Sequence, residues 1–284
     1  TVRGRRFLVK RDDQWRLDGP KGGVRGNKAR KLLAFAKRND VSAVASMGGH
    51  QSNAMLAIAT LCRAKGVRFF YLAKPAPRWL RENPIGNFAA ALALGMELVT
   101  LDADTYRRCA RDPAVRQACL PSEAEWIPQG GACGDAEEGL RLLAREINAI
   151  GRLRVVVPAG TGTTALFLAR HTHTCRVFAV PCATDAAVLR EDLRRLDAAT
   201  GAVGVFPDIL DVPRLDDEPP YRFATPSARE ARVWTELRAA GLLVDLVYAP
   251  HTWDVLLRAL ERRHDGVPAS FYDDGDILYL HCGG

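Results

Sequence analysis

One lysine in this 284-residue chain is set where more than helix solvation is on offer: Lys28, in Gly22-Gly23-Val24-Arg25-Gly26-Asn27-Lys28-Ala29-Arg30-Lys31-Leu32. Glycines at 22, 23 and 26 leave the backbone bare and free to take positive φ just before a helix begins. An amine so placed can meet a ligand closely and act as a covalent catalyst. Two further Gly-rich turns, Ser46-Met47-Gly48-Gly49-His50-Gln51-Ser52-Asn53 and Pro158-Ala159-Gly160-Thr161-Gly162-Thr163-Thr164, each follow an apolar run and open a helix. Backbone N–H groups and threonine hydroxyls at Gly160, Thr161, Gly162, Thr163 and Thr164 suit a phosphate. The first free N–H groups after Gln51-Ser52-Asn53 suit a substrate carboxylate, and His50 beside them is within reach of substrate.

Plain structural roles stand next to each of these readings. Lys28 also fits a solvated first-turn lysine, although a cation is disfavoured at the positive end of a helix dipole. The Gly-Thr turn also fits a simple helix start, Ser52 a serine N-cap, and His50 a polar residue at a cleft rim. No Gly-x-Gly-x-x-Gly with an acidic residue about 20 positions on is present, which argues against a nicotinamide cofactor. His171 and His173 end a helical pattern, where a contact with the negative helix end explains them better than a metal, and no metal is assigned.

The elements that must carry these turns alternate. Short apolar or β-branched runs fall at 43–46, 67–72, 97–101, 154–158, 176–180 and 244–248, and helical patterns at 29–37, 52–65, 84–94, 136–149, 163–170, 185–199 and 226–240. This predicts an α/β fold with mostly parallel sheet covered by helices on both faces. Ligands bind such sheets at the carboxyl ends of strands, where all three turns lie. Segments 74–87 and 202–226 are proline-bearing loops suited to the rim of a cleft.

Composition narrows the class without naming a reaction. A chain of this length, 48% hydrophobic and 26% charged, buries a large core and is expected to form two lobes. No apolar run approaches the ~20 residues of a membrane helix, and Thr1-Val2-Arg3-Gly4-Arg5-Arg6 lacks the apolar stretch of a signal peptide, so a cytoplasmic location is expected. Seven scattered cysteines, an odd number without a Cys-x-x-Cys pair, indicate neither a disulfide framework nor a zinc ribbon. The net charge of +7 comes from 40 basic residues interspersed with 33 acidic ones, which does not make a nucleic-acid groove.

Taken in order, the motifs resemble the pyridoxal-phosphate enzymes of the tryptophan synthase β-like class, and within it the family of 1-aminocyclopropane-1-carboxylate deaminase and D-cysteine desulfhydrase. The resemblance runs from Val9-Lys10-Arg11-Asp12-Asp13 through Gly26-Asn27-Lys28 with Arg30-Lys31-Leu32, then Gly48-Gly49 with Gln51-Ser52-Asn53, to the Gly-Thr turn. It continues through Thr225-Pro226, Gly241-Leu242-Leu243-Val244-Asp245 with Val247-Tyr248, and His281-Cys282-Gly283-Gly284. It implies a large discontinuous cofactor-binding lobe of residues 1–31 and 127–284, a small lobe of residues 32–126, pyridoxal 5'-phosphate between them, a small amino-acid substrate and a homodimer. By the same resemblance Lys28 forms the Schiff base and then acts as base, and Lys31, one turn on, lies near the phosphate. Asn53 bonds the ring hydroxyl, Ser52 touches the substrate carboxylate or assists proton transfer, and Tyr248 is a catalytic tyrosine at a strand end, where a phenol can donate or accept a proton once nearby positive charge lowers its pKa. Without the resemblance Tyr248 is an ordinary packing residue.

Two departures qualify what the resemblance implies. Where the deaminases have a glutamate and then Gly-Lys after the tyrosine, this chain has Ala249-Pro250-His251. Where the desulfhydrase-like members have His-Thr-Gly-Gly, Cys282 replaces the threonine and is a poorer donor toward the ring nitrogen. With no carboxylate partner that nitrogen stays largely unprotonated, favouring elimination or replacement at Cβ. The expected activity is that of a lyase or deaminase releasing ammonia and a 2-oxo acid. A β-replacement synthase and a non-catalytic binding relative stay open as alternatives. Relatives of this kind carry more chain on both sides.

Overall fold

The computed structural model describes residues 1–17, 23–213, 220–225, 227–264 and 266–283; Gly22, Pro226 and Gly284, all named above, lie outside them. Nine strands occur among the described residues: β1 (Leu8–Lys10), β2 (Ala43–Met47), β3 (Arg68–Ala73), β4 (Met96–Thr100), β5 (Ala124–Trp126), β6 (Leu153–Ala159), β7 (Arg176–Pro181), β8 (Asp208–Ile209) and β9 (Asp276–Leu280). They form two separate sheets, every pairing parallel. The α/β class expected from sequence is what the chain adopts.

The chain divides into two compact units, one of Thr1–Trp15 with Glu137–Gly284 and one of Arg16–Ala136. The described residues of 16–31 and residues 127–136, expected with the large lobe, are grouped with 32–126. Their side chains explain why: Lys31 is buried, its ammonium bonds the Gly130 carbonyl at 3.1 Å, and a Cβ on Gly131 would touch the Lys31 side chain.

In the Arg16–Ala136 unit the sheet order is β4-β3-β2-β5. Every residue of β2 is buried, as a central parallel strand covered on both faces requires. The chain steps outward from β2 through β3 to β4, then returns to the far side of β2 as β5. The direction therefore reverses beside β2, and the loop leaving that strand is residues 48–53. The helix Asn53–Lys65 follows, capped at its start by Ser52 and ended by Gly66 at φ +69°.

The other unit repeats the plan with the order β1-β9-β6-β7-β8. The reversal falls between β6 and β9, which run in register from Leu153↔Asp276 to Val156↔Tyr279. The two loops at that edge are the Gly160 turn and residues 281–283. The core under them joins Val156, Phe178, Val180 and Leu210 to Trp253, Leu256 and Phe271. Both Gly-rich turns after strands thus lie at topological switch points, the places where open α/β sheets bind ligands.

One expected strand is absent. Residues 244–248 form no ladder: the Asp245 carboxylate accepts the backbone N–H groups of Val247 and Tyr248, closing a turn, and Leu243 and Leu246 are each 66% exposed. Tyr248 is consequently not a strand end but the residue before the helix Ala249–Glu261. Pro250 sits in that helix's first turn, where a missing N–H costs nothing. Among the described residues no helix is long and apolar enough to cross a membrane.

Candidate active site

Lys28, Lys31 and the 48–53 loop belong to the Arg16–Ala136 unit. Arg16 bridges Arg25, and the Leu17 N–H donates to the Val24 carbonyl at 3.0 Å, which fixes the entry into the helix Gly26–Lys31. Gly26 opens that helix at φ +69°, a left-handed conformation glycine takes without strain. Every residue of the helix is buried except Lys28, which is half-buried. Arg30 is fully enclosed, while the side chain expected to do chemistry keeps contact with the surface.

The turn after β2 is built over a buried tyrosine that the motifs do not single out. Tyr71, from β3, donates its phenolic hydrogen to the Gly49 carbonyl at 3.1 Å. A Cβ at Gly48, whose φ is +152°, would lie 2.6 Å from the Tyr71 hydroxyl oxygen. Burial pushes the Tyr71 phenol well up, and a hydrogen bond with the Ser52 hydroxyl partly offsets the rise. Ser52 also accepts from the Met55 N–H at 3.3 Å, so its N-cap role is real and its hydroxyl is held under the turn.

Gln51 and Asn53 are brought together with the start of the helix Gly86–Ala93. Gln51 Nε2 donates to the Ile85 carbonyl at 3.1 Å, and Gln51 Oε1 accepts the Asn87 backbone N–H at 2.9 Å. Asn87 Nδ2 donates to the Gln51 carbonyl at 3.0 Å and to Asn53 Oδ1 at 2.7 Å. Gln51 therefore spends its amide on the loop. His50 stands edge-on to Phe88 with centroids 5.3 Å apart, and among the described residues its buried Nε2 has no partner. Lys31 points its ammonium at Gly130, in a turn where Gly130 and Gly131 both take positive φ, a glycine pair whose adjacency in the sequence is the only signal of this turn.

The Gly-Thr turn, Tyr248 and Cys282 belong to the other unit. Gly162, at φ +72°, precedes the helix Thr163–His171, and a Cβ there would come within 2.7 Å of Leu193 Cδ2 and 3.0 Å of Leu189 Cδ1. Glycine is required both for the turn and for the close packing of this loop on the helix Ala186–Ala199. Thr163 and Thr164 are buried, and the Thr161 and Thr163 hydroxyls lie 2.8 Å apart. With no side chain on the N-cap, the N-terminus of this nine-residue helix presents backbone N–H groups, the arrangement that receives a phosphate. At the far end His171 Nε2 lies 2.8 Å from Glu137 Oε1.

Tyr248 stands over Gly160: a Cβ at 160 would sit 3.6 Å from both the Tyr248 hydroxyl and its ring, so the bare glycine keeps a space beside the phenol that a side chain would fill. Burial pushes this phenol up to about 12, and Cys182, Asp245 and Cys282 all push the same way. Within its unit Tyr248 faces thiols and a carboxylate, so the positive charge that would lower the phenol is not supplied by the groups around it there. Cys282 follows β9 and is half-buried close to Tyr248. Cys182, fully buried against Thr252 at 3.4 Å, is pushed up to about 12 by burial and is inert at neutral pH. Ala249 is buried and His251 Nε2 contacts the Pro181 carbonyl at 3.1 Å, its ring stacked on Tyr221 at 3.5 Å.

No family model matches the chain. It is 26% identical over 305 residues to the D-cysteine desulfhydrase of Yersinia enterocolitica, covering 99% of this chain and 87% of the relative. It is 26% identical over 306 residues to that of Salmonella typhi, with the same coverage. A solved ACC deaminase homologue superposes with a TM-score of 0.72 at 19% identity, over 97% of this chain and 83% of the other. A solved threonine deaminase superposes with a TM-score of 0.60 at 18% identity, over 99% and 88%. These likenesses bear out the resemblance read from the motifs, in fold and along the full length.

Proposed function

We propose that the chain is a pyridoxal-phosphate-dependent lyase or deaminase that takes a small amino acid, cysteine-like or a cyclopropane amino acid, and with water releases ammonia and a 2-oxo acid, together with hydrogen sulfide where the substrate is cysteine-like. One observation carries this reading: in a chain similar from end to end to D-cysteine desulfhydrases, Lys28 is the single residue of its helix that is not buried. The residues present fit the cofactor, with a glycine cradle at 160–162 that a Cβ would fill and an N-terminus suited to phosphate. Pyridoxal phosphate, when bound, supplies an aldehyde for amines and a ring that takes up electrons from the substrate's Cα.

The protein's own groups have separable duties. Lys28 Nζ would hold the cofactor covalently and would serve as the base that moves the Cα proton. Gly160, Thr161, Gly162, Thr163 and Thr164 hold the phosphate. By the resemblance, Lys31 would add positive charge for the phosphate. Asn53 donates to the ring oxygen, Ser52 and the helix start beside it receive the substrate carboxylate, and His50 Nε2 offers a further polar contact. Gln51 contributes by holding the loop. Tyr248, protonated at neutral pH because burial raises its phenol, donates a hydrogen to the departing group or product. With Ala249 in place of a glutamate and the weak donor Cys282 in place of a threonine, the ring nitrogen would stay largely unprotonated, which inclines the chemistry to elimination. A cytoplasmic homodimer completes the reading.

The test is a visible spectrum of the purified protein followed by a screen of D- and L-amino acids for ammonia and 2-oxo acid. Release of both from a cysteine-like or cyclopropane amino acid is expected. Incorporation of a thiol or amine co-substrate without ammonia release would transfer the chain to the synthases, and no visible band with no turnover would remove the enzyme reading.

A further inference from the structure

We infer that Asn87 is a positioning residue for the cofactor, acting through Asn53, whose amide it turns so that the NH2 group faces outward. The inference rests on the proposed function in one respect, that Asn53 meets the cofactor's ring oxygen.

Hydrogen-bond chemistry dictates the direction of each amide. A backbone carbonyl only accepts, so the Asn87 atom 3.0 Å from the Gln51 carbonyl is nitrogen. That nitrogen carries two hydrogens, and its second is directed to the Asn53 side chain at 2.7 Å, so the Asn53 atom it meets is oxygen. The atom that Asn53 has left over is Nδ2, which has no partner among the described residues. A ring oxygen bearing negative charge needs a donor, and an amide turned the other way would confront it with a second acceptor. Asn87 is itself held, since its backbone N–H is bound by Gln51 Oε1 at 2.9 Å and Gln51 Nε2 is bound by the Ile85 carbonyl at 3.1 Å. Gly86, at φ +60°, is needed for this clasp because a Cβ there would lie 2.6 Å from Gln51 Oε1. Four hydrogen bonds and one glycine therefore fix the orientation of one amide.

Two measurements test this. In the first, the cofactor-free protein is titrated with pyridoxal phosphate by equilibrium dialysis for the unsubstituted chain, Asn87→Asp, Asn53→Ala and the double variant. Asn87→Asp keeps the shape and removes the donor, so Asn53 turns its NH2 inward. Both single variants are expected to bind about tenfold more weakly, with a shifted visible absorbance for Asn87→Asp. The double variant is expected to be no worse than Asn53→Ala, because the two residues act as one. Unchanged binding and spectrum in Asn87→Asp, or penalties that multiply in the double variant, would overturn the inference while leaving the proposed function intact. Failure of the unsubstituted chain to take up any cofactor would overturn both. Should Asn87→Asp not fold, Asn87→Ser replaces it. In the second, side-chain amide exchange in the cofactor-free protein is followed by 15N NMR: slow exchange for the Asn87 NH2 and fast exchange for the Asn53 NH2 are expected, and a protected Asn53 NH2 would overturn the inference without reference to cofactor.

Discussion

The two units solve the same problem by different means. In Arg16–Ala136 the groups at the sheet's switch point are set by side chains bonding one another: Gln51, Asn53 and Asn87 form a clasp, and Tyr71 pins Gly49 and Ser52 from below. In the other unit the turn at the switch point is set by bare backbone pressed on apolar side chains, Gly162 against Leu189 and Leu193 and Gly160 beside Tyr248. Donors aimed at a flat ring need orientation, which side-chain amides provide. A phosphate needs several converging N–H groups, which a helix start provides if nothing covers it.

The heaviest loss should come from the first unit. Lys28→Ala should lower turnover on the order of 10³-fold or more, the range of a lost proton-transfer group, while the half-buried site leaves the melting temperature nearly unchanged. Steady-state kinetics alongside calorimetry check it, and a large fall in melting temperature would mean that Lys28 is structural. Next come the glycines, which separate the two strategies. Gly162→Ala should destabilise by about 1–3 kcal/mol, since it combines a left-handed φ with overlap on packed leucines. Gly49→Ala, with open space around its Cβ position, should stay within ~0.5 kcal/mol. Denaturant titration of both variants measures the contrast, and equal costs would erase it.

A pH experiment probes the second unit further. Burial raises the Tyr248 phenol from its ordinary value near 10 to about 12, so the folded state disfavours phenolate. The stabilisation is complete below the unfolded pKa and is lost as pH rises through the interval between the two values. The Cys182 thiol, raised from 9.0 to about 12, behaves likewise from a lower starting point. Stability should therefore fall from pH ~9 upward, and Tyr248→Phe should remove about 2 kcal/mol of that dependence. An identical alkaline profile in the variant would show the phenol to be solvated. The mildest change belongs to Cys282→Thr, which exchanges a weak donor for a stronger one and should shift turnover by about two- to tenfold, in line with one neutral hydrogen bond. Steady-state kinetics read it, and turnover identical to the unsubstituted chain would place the thiol away from the reacting ring.

The strands and the Gly-rich turns were legible because a buried parallel strand is an uninterrupted apolar run with a turn signal behind it, as in Val155-Val156-Val157 before Gly160. Val244–Val247 carries the same composition and misleads: Asp245 takes the backbone N–H groups that a ladder would need, a competition invisible to periodicity. The strand Asp276–Leu280 is hidden in the sequence because the acidic, glycine-bearing stretch before it reads as loop. Lys28 announced itself by three neighbouring glycines. Tyr71 and Asn87 did not, since one looks like core and the other like an ordinary helix start, and their roles exist only once β3 and the helix Gly86–Ala93 are folded against the 48–53 loop.

The proposed function puts the cofactor on a single amine, that of Lys28. Reduction of the purified protein with borohydride, digestion and mass spectrometry of the peptides decides the matter. The reduced pyridoxyl-phosphate mass should be found on the peptide containing Lys28 and should vanish in Lys28→Ala. A modified peptide centred on any other lysine, or none at all in protein with its visible band intact, would refute the assignment of that amine.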